Sequence, residues 1–126
     1  MKQEKEITER IETFEDALME TGRPDVPEFN DIPEDLRAYF KAQYKAVVIN
    51  EALNEVWKPD WSDRDQIKWI PYFDSVSPSG FAFYDSIYRS TNPYAGTASR
   101  LCFKTSTLAE YAGKQFLDIW KDLILK

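Results

Sequence analysis

A proline at position 59 separates two incompatible hydrophobic patterns, and that boundary constrains the fold more than any other feature of the chain. Before it, Leu36, Phe40, Tyr44 and Val47 recur at helical spacing. From Tyr44 the apolar set broadens to Val48, Ile49, Ala52, Leu53, Val56 and Trp57, and a helix apolar on most of its circumference must be covered from more than one side. After Pro59, residues 66–73 and 81–88 are rich in β-branched and aromatic side chains, as strands are. Helices segregated from a run of strands define an α+β class.

Upstream, Ile7, Ile11, Phe14 and Leu18 form one helical stripe, which Gly22 and Pro24 terminate. Residues 4–21 are one helix or a broken pair, because the Thr13 hydroxyl can cap a separate helix behind it. Residues 23–30, with Pro24 and Pro27, read as an extended connector. Asp31 is expected to cap the long helix, with Pro33, Glu34 and Asp35 in its first turn and Pro59 at its end. Pro71 removes a ladder donor from strand 66–73 and predicts an edge or a bulge there. A turn at 77–80 leads to strand 81–88, with Phe81 and Phe83 on one face and Ala82 and Tyr84 on the other.

A long loop at 90–99 then precedes a third short strand, 100–104. Thr105, Ser106 and Thr107 offer caps for the last helix, and Thr107 with Glu110 has capping-box spacing. Leu108, Ala112, Phe116, Ile119 and Leu123 are its buried stripe. The order α-α-β-β-β-α predicts a three-stranded antiparallel meander packed on the long helix and the last one. Leu53, Val56, Phe103, Phe116 and Ile119 are its expected core.

The 126 residues suit one domain, with an acidic helix and connector at 1–30 and a compact body at 31–126. Residues 1–35 carry 12 acidic and 4 basic side chains, while the remainder carries 10 and 12. The first third is thus a negative surface for solvent or for a basic partner. A single cysteine, Cys102, rules out an intramolecular disulfide and suits a reducing compartment. With a charged N-terminus and no apolar run long enough for a membrane span, the expectation is a cytoplasmic chain with no membrane contact.

Histidine is absent, which removes His-based triads, imidazole metal ligands and the commonest general base near neutral pH. One Cys without His also removes the usual zinc sets, and no glycine spacing matches a phosphate loop. No cofactor and no catalytic residue is therefore expected. Cys102, between Leu101 and Phe103, reads as a buried structural thiol. Asp60, Asp63 and Asp65 around Trp61 read as turn formers, since the spacing lacks the glycine and terminal glutamate of a calcium loop. The loop with Gly96 and Arg100, flanked by Arg89 and Lys104, could hold an anion. Trp69, Tyr72, Tyr84 and Tyr88 alternate with Lys68, Arg89 and Arg100, a pattern that single-stranded nucleic acid can use for stacking. The body is too weakly basic for a tight phosphate footprint, so any such binding is expected to be weak.

From Glu51 onward several blocks carry a resemblance: Trp57-Lys-Pro-Asp-Trp61, Trp69-Ile-Pro-Tyr-Phe73, Ser99-Arg-Leu-Cys-Phe-Lys104 and Leu108-Ala-Glu-Tyr-Ala-Gly-Lys-Gln-Phe116. They resemble a family of small uncharacterised proteins of phages and mobile elements of gut bacteria. The resemblance implies an accessory role and carries over no site residue. The expected function is a non-enzymatic interaction module with a protein partner, and the alternatives are a weak single-strand binder and a His-free enzyme. Trp61, Trp69, Tyr72, Arg89, Tyr94 and Arg100 are the candidate contact residues.

Overall fold

The structure is a computed structural model that describes residues 6–63, 65–78, 80–88 and 101–125. Its N-terminal stripe is a broken pair, α1 (Ile7–Arg10) and α2 (Phe14–Thr21). The break is made locally: Asp16 N–H donates to Thr13 Oγ1 at 3.1 Å, while the Asp16 carboxylate accepts from the N–H groups of Glu12 and Thr13 at 3.0 and 3.1 Å. It is held tertiarily too, because the carbonyls of Ile11 and Glu12 accept from the Tyr111 hydroxyl at 2.6 Å and the Gln115 amide at 2.8 Å. Gly22, at φ 72°, closes α2 as the left-handed stop.

The long helix α3 (Glu34–Asn54) departs from expectation at both ends. Pro33, not Asp31, holds the N-cap position and makes no side-chain bond, so Glu34 and Asp35 in the first turn meet the dipole instead. The helix stops before Pro59, at Glu55, whose φ of 57° and ψ of −117° lie outside helical space. The early stop corrects the expected core. Val56 leaves the helix axis and is 97% exposed, whereas Leu53, Phe103 and Phe116 are buried and Ile119 packs partly against them.

Strands β1 (Trp69–Ser77) and β2 (Gly80–Tyr88) pair antiparallel, with Tyr72 opposite Asp85 and Phe73 opposite Phe83. Between those two pairs Tyr84 has no partner on β1, so it is the extra residue of a bulge. A second irregularity lies between Asp74 and Ser77. The chain is α+β, but the three-stranded meander is not formed among the described residues: the sheet has two strands. The expected third strand contributes one isolated bridge, and it lies on β1 rather than β2: Trp69 and Phe103 exchange both backbone hydrogen bonds, at 2.9 and 2.7 Å.

Pro71 explains why the bridge does not lengthen. Backbone groups alternate sides along a strand, so Pro71 faces the same edge as Trp69, and the next bonded pair would need the N–H that Pro71 lacks. The bridging segment's other groups go elsewhere. Cys102 O accepts from the side-chain amides of Asn50 at 3.0 Å and Asn54 at 2.8 Å, and Lys104 N–H donates to Asn54 Oδ1 at 3.0 Å.

The last helix is two, α4 (Ser106–Gln115) and α5 (Leu117–Leu125), broken at Phe116. Thr105 supplies the cap, accepting from Leu108 N–H at 3.1 Å, so Thr107 is not used. The sheet rests mainly on α4, while α3 packs on α2 and α5, contrary to the expected sheet-on-α3 arrangement. Gly113 permits the close approach: a Cβ there would stand 2.8 Å from Phe83 Cε1 and 3.3 Å from Pro71 Cβ. No described helix is long and apolar enough to cross a membrane.

Candidate functional site

A groove of about 500 Å³ lies against the sheet, lined by residues of α3, β1, β2 and α5 together with Leu101. Its floor is aromatic. Phe73 lies between Phe81, stacked at 5.0 Å, and Trp120, at 5.7 Å with the planes 30° apart, and Phe83 meets it edge-on at 6.1 Å. The helix break at Phe116 positions Trp120, whose indole N–H donates to Ala112 O at 3.2 Å. One wall is Tyr39 and Gln43, one turn apart on α3, and the other is Leu123 and Ile124 on α5. Leu101 closes one side, and Tyr72, Ser75 and Tyr84 stand along the sheet.

None of these lining side chains is charged. Four large side chains of the lining are left partly in water: Tyr39 is 36% exposed, Tyr72 38%, Tyr84 72% and Ile124 51%. The bulge turns Tyr84 out, as bulges do when they re-aim a side chain. Backbone alternation from Trp69 also turns the N–H and C=O of Phe73 towards the groove, where no described strand pairs with them. The groove therefore offers apolar area, one backbone donor–acceptor pair and a few neutral polar groups. Among the described residues its polar side chains are the Gln43 amide, the Ser75 hydroxyl and the hydroxyls of Tyr39, Tyr72 and Tyr84.

Of the six expected contact residues, Tyr72 lines this groove. Trp69 is half-buried against the core and tied to Phe103, so it is not a free stacking platform. Trp61 belongs to a different structure. The ammonium of Lys68, a fully buried lysine, stands 5.0 Å from the centre of the Trp61 ring and donates to Asp63 O at 3.2 Å and Gln66 O at 3.1 Å. Two carbonyls and a ring face thus surround the ammonium. Arg89, Tyr94 and Arg100, with the 90–99 loop, lie outside the described residues.

The Asp60–Asp63–Asp65 cluster is a loop clip. Asp60 Oδ1 accepts from Ser62 Oγ at 2.6 Å and Ser62 N–H at 3.0 Å, and Asp63 Oδ1 accepts from Asp65 N–H at 2.9 Å. The two Ser62 bonds, with Lys68 adding less, hold the Asp60 carboxyl below its usual range. No group of three metal-ligating side chains occurs among the described residues. Cys102 is buried, as a structural thiol is.

Sequence reasoning missed the groove because its walls come from α3, β1, β2 and α5, and only their packing makes Tyr39, Trp120 and Leu123 neighbours. One signal was present: Ile124 continues the apolar pattern of the last helix past what its own stripe needs to bury. Comparison with protein-family models, with curated proteins and with solved structures returned no match.

Proposed function

We propose that this protein is a non-enzymatic interaction module that binds a protein partner through the β1 groove. One observation carries the reading: an uncharged aromatic groove whose rim leaves Tyr72, Tyr84 and Ile124 partly in water. Water contact with such area is unfavourable by roughly 25 cal/mol per Å², and a partner that covers it recovers that free energy. Tyrosine and tryptophan in a concave apolar setting are also the side chains that dominate binding energy at protein interfaces. The blocks that resemble phage and mobile-element proteins agree with an accessory role of this kind.

The second reading, weak binding of single-stranded nucleic acid, is favoured by the exposed rings of Tyr72 and Tyr84. Against it, neighbouring positions on the two strands are Asp74 and Asp85, and no cation lines the groove among the described residues.

The test is capture of partners from nuclease-treated lysate by the tagged chain and by two rim variants, Ile124→Arg and Tyr84→Ser. Loss of a specific partner by both variants, with unchanged thermal unfolding, supports the groove. Capture that both variants retain sinks it, and capture that nuclease abolishes promotes the nucleic-acid reading.

A further inference from the structure

We propose that the groove's occupant is a short extended segment of the partner, added to β1 as a strand, with apolar side chains in the groove and lysine or arginine beside them. This rests on the interaction-module reading and specifies how the partner is held.

Backbone geometry argues for a strand. The Trp69–Phe103 bridge marks where a third strand begins, and Pro71 cannot continue it. Phe73 is the next residue whose N–H and C=O face that edge, and it sits on the groove floor. A helix keeps its hydrogen bonds internal, so a helix seated here would desolvate the Phe73 groups without replacing their partners, and so would a wholly apolar small molecule. An extended peptide supplies the matching carbonyl and amide, and its alternating side chains send every second residue to one face.

Charge argues for a basic segment. The lining is neutral, but the positions bordering it are acidic: Asp35 one turn before Tyr39 on α3, Asp74 next to Phe73, and Asp85 opposite Tyr72. Lys121, one turn before Ile124, is the only base at an equivalent bordering position among the described residues. The whole chain is −6, so the long-range field also favours a cationic segment.

The experiment uses the full isotope-labelled chain and two capped peptides, Lys-Val-Phe-Val-Lys and Glu-Val-Phe-Val-Glu. The basic peptide should shift amide resonances centred on Phe73, Leu123 and Ile124 and slow the exchange of the Phe73 amide. The acidic peptide should bind about tenfold more weakly at low salt, with the gap closing as salt rises. Ile124→Arg should abolish binding while leaving the other resonances in place. Equal affinity for both peptides overturns the charge argument, and a helical bound peptide or an unprotected Phe73 amide overturns the strand. Absence of binding at millimolar peptide overturns the proposal. If a lysate partner still depends on Ile124, the module reading survives that failure; if none does, both fall.

Discussion

Trp69 at the start of β1 and Phe73 at its middle face the same edge and reach opposite outcomes. At Trp69 the edge is closed by Phe103, and the carbonyls and amides around the bridge are taken up by Asn50 and Asn54. At Phe73, two strand positions beyond the interrupting Pro71, no described strand pairs on that edge, and the residue lines a groove whose described side chains carry no charge. The closed end resembles the break between α1 and α2, where Tyr111 and Gln115 accept the role of bonding freed carbonyls. Where this chain leaves regular structure to build its interior, side chains replace the lost backbone partners. Where the described residues show no such replacement, at Phe73, the edge is apolar and rimmed by exposed rings.

The largest test of that contrast is Phe103→Ala. Its ring is fully buried at the closed end, and removal should cost about 3–5 kcal/mol in a denaturant titration. A midpoint within error of wild type would mean that the bridge does not anchor the core. Next comes Asn54→Ala, which strips Lys104 N–H of its acceptor and Cys102 O of one donor. A cost of about 2–3 kcal/mol is expected. Asn50→Ala should cost less, because Cys102 O keeps Asn54 and because Asn50 Oδ1 finds no partner among the described residues. Equal costs would refute the assignment of Asn54 as the main clamp.

Tyr111→Phe should cost about 1 kcal/mol by removing the bond to Ile11 O. It also has a pH signature. Burial first, then Glu12 and Asp16, raise the Tyr111 hydroxyl above its ordinary value near 10. The folded state therefore holds this proton more tightly than the unfolded state does. The stability it contributes is complete below the unfolded pKa and is lost as pH rises through the folded one. The wild type should lose stability in that alkaline window more steeply than Tyr111→Phe does; parallel curves would contradict the assignment.

The smallest expected effect is at the groove rim. Tyr84→Ser removes a largely exposed ring and should change stability by no more than about 0.5 kcal/mol. A loss several times larger would show that the ring is a structural part of the sheet rather than a rim.

Much of the fold was legible in the residues themselves. Thr13 and Gly22 bounded α2, a hydrophobic period that changed after Pro59 separated helix from sheet, and Pro71 announced an edge. Each of these acts within a few residues of itself, through a dihedral limit, a missing donor or a capping oxygen, so no tertiary knowledge is needed to read it. The groove was legible only through Tyr72, and the Lys68–Trp61 contact, the asparagine clamp and the paucity of strands were not legible at all. Asn50 and Asn54 look like ordinary polar positions on a helix until Cys102 is brought to them from far along the chain. Likewise Val56 continues an apolar pattern that the conformation of Glu55 cuts short.

By itself, then, the sequence determined the α+β class, the helical and paired-strand segments other than the expected strand at 100–104, and several of the stops between them, because those are local steric and hydrogen-bonding facts. Tertiary structure decided which face of each segment is covered. That choice depends on where freed backbone groups find partners and on which surfaces pack together: α2 and α5 take α3, α4 takes the sheet through the gap at Gly113, and beyond the Phe103 bridge no described strand pairs with the far edge of β1. A groove made of such a remainder has no pattern along the chain, since its walls are defined by what the other contacts did not use.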